Sequence, residues 1–119
     1  MNVIASAVST EDALVAVYGL IAQIESRNGF STDLQRKAAP MLARAAVLAN
    51  RRGLSQAGLR RLLWGGNALT ALIDDAVASP NGEERLAALW LQLQFADHDV
   101  ATSAERNMIM VEAGSLLHS

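Results

Sequence analysis

Residues 31–53 read STDLQRKAAPMLARAAVLANRRG, and apolar side chains recur through this segment at the spacing of an α-helix. Residues three or four positions apart lie on one face of a helix, so the pattern predicts an amphipathic helix that begins at Ser31 or Thr32 and ends at Gly53. Its apolar stripe consists of Leu34, Ala38, Met41, Ala45, Leu48 and Ala49. Because Pro40 has no backbone N–H to donate, we expect a kink or a break within this helix.

An earlier helix is predicted between Thr10, as its N-cap, and Gly29, as its end. Glu11 and Asp12 fall in its first turn, where the helix dipole favours acidic side chains. Apolar residues then occupy every face, which is typical of an element at the centre of a core or in an oligomer interface. We therefore expect it to be the most buried helix. The apolar positions are Ala13, Leu14, Val15, Ala16, Val17, Tyr18, Leu20, Ile21 and Ile24.

Shorter helices are predicted in the second half of the chain. Ser55 is expected to open a helix that runs to about Leu63, and Asn67 to cap the next one, at residues 68–78. The break at residues 79–82 (SPNG) then separates these from the rest of the chain. The pattern predicts an all-α fold, a compact bundle of five to six helices.

Two capping boxes open the last predicted helices, one formed by Asn81 with Glu84 and one by Thr102 with Glu105. The first of these helices carries four large apolar residues at helical spacing, Leu86, Leu89, Trp90 and Leu93. Residues 90–95 also alternate with period two, as a strand would. Because a lone strand would have no partner, we expect this segment to be helical.

The composition favours a single packed helical domain that spans residues 1–119. Apolar residues make up 51% of the chain and charged residues 18%, whereas aromatic residues make up only 4%. Small side chains suit closely packed helices better than a β-sandwich. The absence of cysteine excludes a disulfide framework and is compatible with the cytoplasm, where we expect the protein to be. We expect no signal peptide, because no basic region precedes the apolar N-terminal residues. We expect no membrane span, because the apolar run at residues 13–24 is shorter than the roughly 20 residues that a spanning helix needs.

The charges are unevenly distributed although the net charge is only −2. Residues 27–61 hold eight basic side chains and one acidic side chain, whereas acidic residues predominate from residue 62 onward. The two halves either neutralise each other within the fold or across a dimer, or leave a basic surface for an acidic partner. The candidate partner-binding residues, for protein or nucleic acid, are Lys37, Arg44, Arg51, Arg52, Arg60 and Arg61.

The sequence offers few groups for catalysis. Catalysis needs a nucleophile, a base or a metal held against a partner, and the chain has no cysteine, two histidines and one tyrosine. The cluster at residues 97–99 (DHD) falls in a predicted loop, where adjacent side chains would need an unusual turn to reach one ion. The acidic pairs at 74–75 and 83–84 are interpreted as solvated helix faces. Trp64 and Trp90 are interpreted as core residues, with the alternative that Trp64 is an exposed anchor for a partner. We therefore expect no enzymatic activity, no metal and no cofactor.

The stretch at residues 51–63, RRGLSQAGLRRLL, resembles the opening of a Cro-type phage-repressor helix-turn-helix. The resemblance implies a first helix whose start touches phosphates and a second helix, at residues 67–77, that lies in the major groove of DNA. Asn67 and Thr70 would then approach the bases. The acidic pair at 74–75 on the same helix would, however, repel phosphates.

These observations lead to two functional hypotheses. The first is a small regulatory or inhibitory helical protein that binds another protein with an acidic surface, as a homodimer formed through the apolar first or last helix. It depends on the scarcity of catalytic groups, the excess of apolar helix surface and the uneven charge. The alternative is a helix-turn-helix transcriptional regulator that binds DNA.

Overall fold

The computed structural model describes residues 8–64, 67–94 and 100–117, with side chains in the last segment described from residue 104. This part of the chain is all helical and contains no strand, which confirms the predicted fold class. None of its helices combines the length and the apolar character that crossing a bilayer requires. The six helices are α1 (Thr10–Asn28), α2 (Asp33–Arg51), α3 (Gln56–Trp64), α4 (Ala68–Ala76), α5 (Gly82–Gln94) and α6 (Val100–Leu116).

Helix α2 forms the centre of the fold, with α1, α5 and α6 packed around it. Ten of its 19 residues are buried, and seven of these are alanine or valine, whose short side chains allow neighbouring helices to approach closely. Thr32 and Gln35 form a capping box at its start, with Gln35 N donating to Thr32 Oγ1 over 3.0 Å and Thr32 N donating to Gln35 Oε1 over 2.8 Å. The helix continues through Pro40 without a break and ends just before Gly53, whose φ of 70° suits glycine.

Helix α1 is not the most buried element, contrary to the sequence prediction. Only four of its residues are buried, namely Ala13, Val17, Ile21 and Ile24. Val15 is 71% exposed and Tyr18 48% exposed, because α1 packs mainly on α2 and leaves its opposite face in solvent. The helix ends at Gly29 as predicted, with φ of 83°, but its N-cap is Ser9 rather than Thr10. Asp12 N donates to Ser9 Oγ over 3.1 Å.

The two short helices sit on different neighbours, α3 on α6 and α4 on α5. Ser55 precedes α3 and accepts a hydrogen bond from Gly58 N at 3.2 Å, as expected of a capping residue. Asn67 precedes α4, but its side chain makes no capping hydrogen bond, and α4 ends at Ala76. Asn67 is therefore at the N-cap position as predicted, without the capping hydrogen bond, and the predicted end at Ala78 is wrong.

Helix α5 includes Trp90 to Gln94, so the described part of the ambiguous segment is helical; Phe95 lies outside the described residues. Asn81 Oδ1 accepts from Glu84 N over 2.9 Å, which is half of the predicted capping box. Helix α6 begins at Val100, so Thr102 lies inside it rather than at its start.

Candidate binding surface

Lys37, the only lysine of the chain, forms an ion pair with Glu105 of α6, with 3.0 Å between Nζ and Oε1. This hydrogen bond and the charge of Glu105 hold the pKa of Lys37 above its ordinary value of 10.5. Both side chains are more than half exposed. Lys37 therefore lies on the α6 side of α2, with its charge matched inside the fold.

Arg51 and Arg52 are paired with acidic residues of the second half of the chain. Arg52 Nη2 lies 3.0 Å from Glu84 Oε1 and also contacts Asp75, while Arg51 Nε lies 3.7 Å from the other oxygen of Glu84. Ser79 donates its hydroxyl to Glu84 Oε2 over 3.1 Å. These five residues line a cleft of about 350 Å³ whose positive charges are already neutralised.

Glu84 is buried, so its interpretation as part of a solvated helix face is wrong. Its carboxylate joins α5 to the end of α2, across 32 positions of sequence. A buried carboxylate is stable only when its oxygens are paired, and Glu84 has guanidinium and hydroxyl partners. Sequence reasoning missed this residue because only the tertiary fold brings Arg52 to it.

Arg44 has a different environment from the other cations of α2. Its guanidinium lies over the indole of Trp90 in α5, with 4.4 Å from Cζ to the ring centroid. One Nη donates to the carbonyl of Pro40 over 3.4 Å. Burial lowers the pKa of the Arg44 guanidinium from its usual value, and Tyr18 of α1 acts on it electrostatically in the opposite direction. Within the described residues, no carboxylate forms an ion pair with it.

Arg60 and Arg61 lie on α3, away from the cations of α2 that they were grouped with. Arg60 is half-buried, with its guanidinium 5.9 Å from the centroid of the Trp64 ring, whereas Arg61 is exposed. Trp64 is 46% exposed, so its interpretation as a core residue is wrong. Its Nε1 donates to the carbonyl of Val111 in α6 over 3.0 Å, which holds the ring against that helix.

Asn67 and Thr70, the candidate base-reading residues, are exposed at the start of α4. They line one wall of a cleft of about 420 Å³, and α3 and α6 supply the remaining walls. Further along α4, Asp74 is exposed, and Asp75 contacts Arg52. The face that would enter the major groove is therefore short, polar at one end and acidic at the other.

The six predicted partner-binding cations do not form one continuous basic surface. Three are paired with carboxylates, Arg44 lies between α1 and α5, and two lie on α3. Much of the positive charge of residues 27–61 is therefore neutralised within the fold. This is the first of the two alternatives drawn from the charge pattern. The remaining cations are Arg44, Arg60 and Arg61.

Three of the four apolar residues that the sequence places at helical spacing on α5 form an exposed surface. Three leucines, at positions i, i+3 and i+7, face solvent with exposed fractions of 64%, 39% and 73%. We call this surface the leucine stripe; it consists of Leu86, Leu89 and Leu93. The opposite face of α5 enters the core with Ala87, Ala88 and Leu91. Trp90, four residues after the first leucine and three before the last, is half-buried at the edge of the stripe.

Within the described ranges, no cluster of three or more histidine, cysteine, aspartate or glutamate side chains could hold a metal ion. The candidate cluster at residues 97–99 lies outside those ranges. No family model, curated protein or solved structure matches this chain.

Proposed function

We propose that this chain is a small regulatory or inhibitory protein that acts by binding another protein stoichiometrically. The observation that supports this proposal is the exposed leucine stripe of α5. Full burial of a leucine side chain contributes about 1.5–3 kcal/mol, so three exposed leucines on one helix face, two of them more than 60% exposed, offer a large part of the energy of a protein contact. Contiguous apolar patches on soluble proteins mark interaction sites.

The charges support a mainly apolar contact rather than a purely electrostatic one. Lys37, Arg51 and Arg52 already have partners within the fold. Of the six candidate cations, those left to meet an acidic partner are then Arg44, beside the leucine stripe, and the pair on α3. Charges at the rim of an apolar contact steer and orient the partner more than they add affinity.

The proposal can be tested with a matched pair of α5 variants. Leu93→Glu places a charge in the leucine stripe, whereas Gln92→Glu adds the same charge to the neighbouring exposed position. The tagged full chain and both variants are incubated with extract of the source cells, and the stoichiometry of the recovered complex is measured. We expect a one-to-one partner with the wild type and with Q92E that is lost with L93E. Equal recovery with L93E, or the absence of any stoichiometric partner, would refute the proposal.

We also propose that the protein forms a homodimer through α1 or α6. The exposed face of α1 includes Val15 and Tyr18, and that of α6 includes Met108 and Val111. Light scattering across a concentration series tests this clause, since a strict monomer at the highest concentration would remove it. Lack of cysteine is compatible with action in the reducing cytoplasm, which we propose as its location.

The alternative, a DNA-binding regulator, has less support. Recognition helices present a protruding face of base-reading side chains, with cations on the flanking elements. Here Asp74 is exposed on α4, and the cations at the end of α2 are bound to Glu84 and Asp75. We therefore favour a protein as the partner.

A further inference from the structure

Arg44 of α2 lies between α1 and α5, which both pack on α2. The two helices begin close together, where Thr10 N donates to Glu83 Oε2 over 3.2 Å. About two turns further along each helix, Tyr18 acts electrostatically on Arg44, and Trp90 stacks on its guanidinium. The two helices therefore run in the same direction along α2, and we call the space between them, above Arg44, the groove. The leucine stripe borders the groove on the α5 side, because Trp90 neighbours Leu86 and Leu93 on the helix surface.

Among the cations of α2, Arg44 is the one with which no carboxylate of the described residues forms an ion pair. The other cations of α2, Arg36, Lys37, Arg51 and Arg52, each contact a carboxylate. Arg44 instead stacks on Trp90 and donates to one backbone carbonyl, within the part of the chain that the structure describes. A planar guanidinium held in a fixed orientation by an aromatic ring is suited to bidentate binding of a carboxylate.

We propose that the groove binds an amphipathic helix of the partner protein, and that this helix carries a carboxylate within its apolar face which pairs with Arg44. The inference rests on the proposed function and names the chemistry of its partner. The leucine stripe favours a helix, because it extends over eight residues, or about 10 Å of helix rise, which two turns of a partner helix can match. Helices that recognise grooves use apolar side chains at i, i+3 or i+4, and i+7.

A displayed library of helical peptides provides an unbiased probe. The library varies the outer positions of a helix scaffold and is selected against the full-length chain. We expect the enriched peptides to carry leucine or aromatic residues at helical spacing together with one Glu or Asp at a fixed position among them. Selection against Arg44→Gln should retain the apolar residues and lose the preference for the acid.

The best enriched peptide and its Glu-to-Gln counterpart are then titrated by fluorescence anisotropy. The Glu peptide should bind the wild type roughly tenfold more tightly than the Gln peptide, as expected for a charge-assisted pair. The difference should disappear with Arg44→Gln and be reduced with Arg44→Lys, which keeps the charge without the planar fork. Arg61→Gln removes the same charge from α3 and should leave the difference unchanged, and circular dichroism verifies the fold of each variant.

The outcomes separate this inference from the proposed function. The library could enrich apolar peptides that carry no acid, bind the wild type and are blocked by Leu93→Glu. That result would overturn the role of Arg44 and retain the leucine stripe as a binding surface. An acid preference that persists in Arg44→Gln would also overturn it. Failure of the library to enrich any peptide that Leu93→Glu blocks would refute both, whereas acid-dependent binding lost with Arg44→Gln supports both.

Discussion

The indole of Trp64 occupies the space that a side chain at Gly114 of α6 would fill. A Cβ added to Gly114 would lie 2.7 Å from Cε2 of the ring and closer still to Nε1. The indole Nε1 also donates to Val111, one turn before that glycine. The φ of Gly114 is not positive, so its backbone conformation does not require glycine. Glycine is required here because the Trp64 ring approaches so closely.

Replacing Gly114 with alanine should destabilise the protein. Alanine is intrinsically better than glycine in a helix by about 1 kcal/mol, so propensity alone predicts a gain. The ring cannot remain where it is, and overpacking of this kind costs about 1–3 kcal/mol. We therefore expect a net loss in the free energy of unfolding, measured by urea denaturation. Tryptophan emission should also change, because the Trp64 ring must move away from α6.

Gly19 of α1 provides the matched control, because it is helical and exposed, and no atom lies within 4 Å of an added Cβ. Gly19→Ala should stabilise the protein by about 0.5–1 kcal/mol through helix propensity alone. A gain of the same size at both glycines would show that the Trp64 ring does not occupy the space above Gly114.

The orientation of α5 predicts opposite effects for two leucines separated by two positions. Leu91 is fully buried and Leu93 is 73% exposed. Leu91→Ala should lower the free energy of unfolding by about 2–5 kcal/mol, whereas Leu93→Ala should change it by no more than about 0.5 kcal/mol. Chemical denaturation monitored by circular dichroism measures both. Comparable losses at the two positions would mean that α5 turns its leucine stripe toward the core.

Local signals in the sequence were sufficient for the helical fold class and for several helix ends. The Thr32 cap and the stop at Gly29 depend on residues within one turn, so their prediction required no knowledge of the tertiary fold. Burial was predicted less well. All faces of α1 are apolar, and only the number of neighbours that pack against it determines which of them become buried.

The face of α5 that enters the core could not be read from its own sequence. Ala87, Ala88 and Leu91 recur at helical spacing, as the leucine stripe also does. Glu84 lies on the first of these faces, and its ion pair with Arg52 and its hydrogen bond from Ser79 fix the rotation of the helix. The face with the smaller side chains is therefore the one that packs on α2. The exposure of the leucine stripe could not be predicted for the same reason.

Removing the charge of Glu84 should destabilise the protein through the arginines it pairs with. Breaking a fully buried pair costs about 3–5 kcal/mol, but the side chains of Arg51 and Arg52 are 45% and 37% exposed, so water compensates part of the loss. We expect Glu84→Gln to lower the free energy of unfolding by about 1–3 kcal/mol in urea denaturation. The neighbouring exposed Glu83 is the control, since Glu83→Gln should cost no more than about 0.5 kcal/mol. An equal effect of the two substitutions would contradict the buried position of Glu84.

The ion pair of Lys37 predicts a pH dependence at the alkaline end. Because Glu105 raises the pKa of Lys37 in the folded state above 10.5, its unfolded value, the pair contributes its full stabilisation below pH 10.5 and loses it as the pH rises through the folded pKa. NMR titration of the single lysine measures this value directly. Glu105→Gln should bring the pKa down toward 10.5, and Asp33→Asn should lower it less, since Asp33 acts only through its charge. A Lys37 pKa that does not respond to Glu105→Gln would show that the pair is absent in solution.

The salt dependence of DNA binding decides between the protein partner and the DNA alternative. The slope of log K against log salt is about −0.9 for each phosphate neutralised. The cations of α2 are paired inside the fold or enclosed between helices. In residues 51–63, the segment that resembles a helix-turn-helix, Arg60 and Arg61 are therefore the arginines that remain to bind phosphates. Titration of a mixed duplex by anisotropy should then show weak binding with a slope no steeper than about −2. Arg60→Ala with Arg61→Ala should abolish it. A slope of about −5 or steeper would require the paired arginines to leave Glu84 and Asp75, and would establish the DNA alternative.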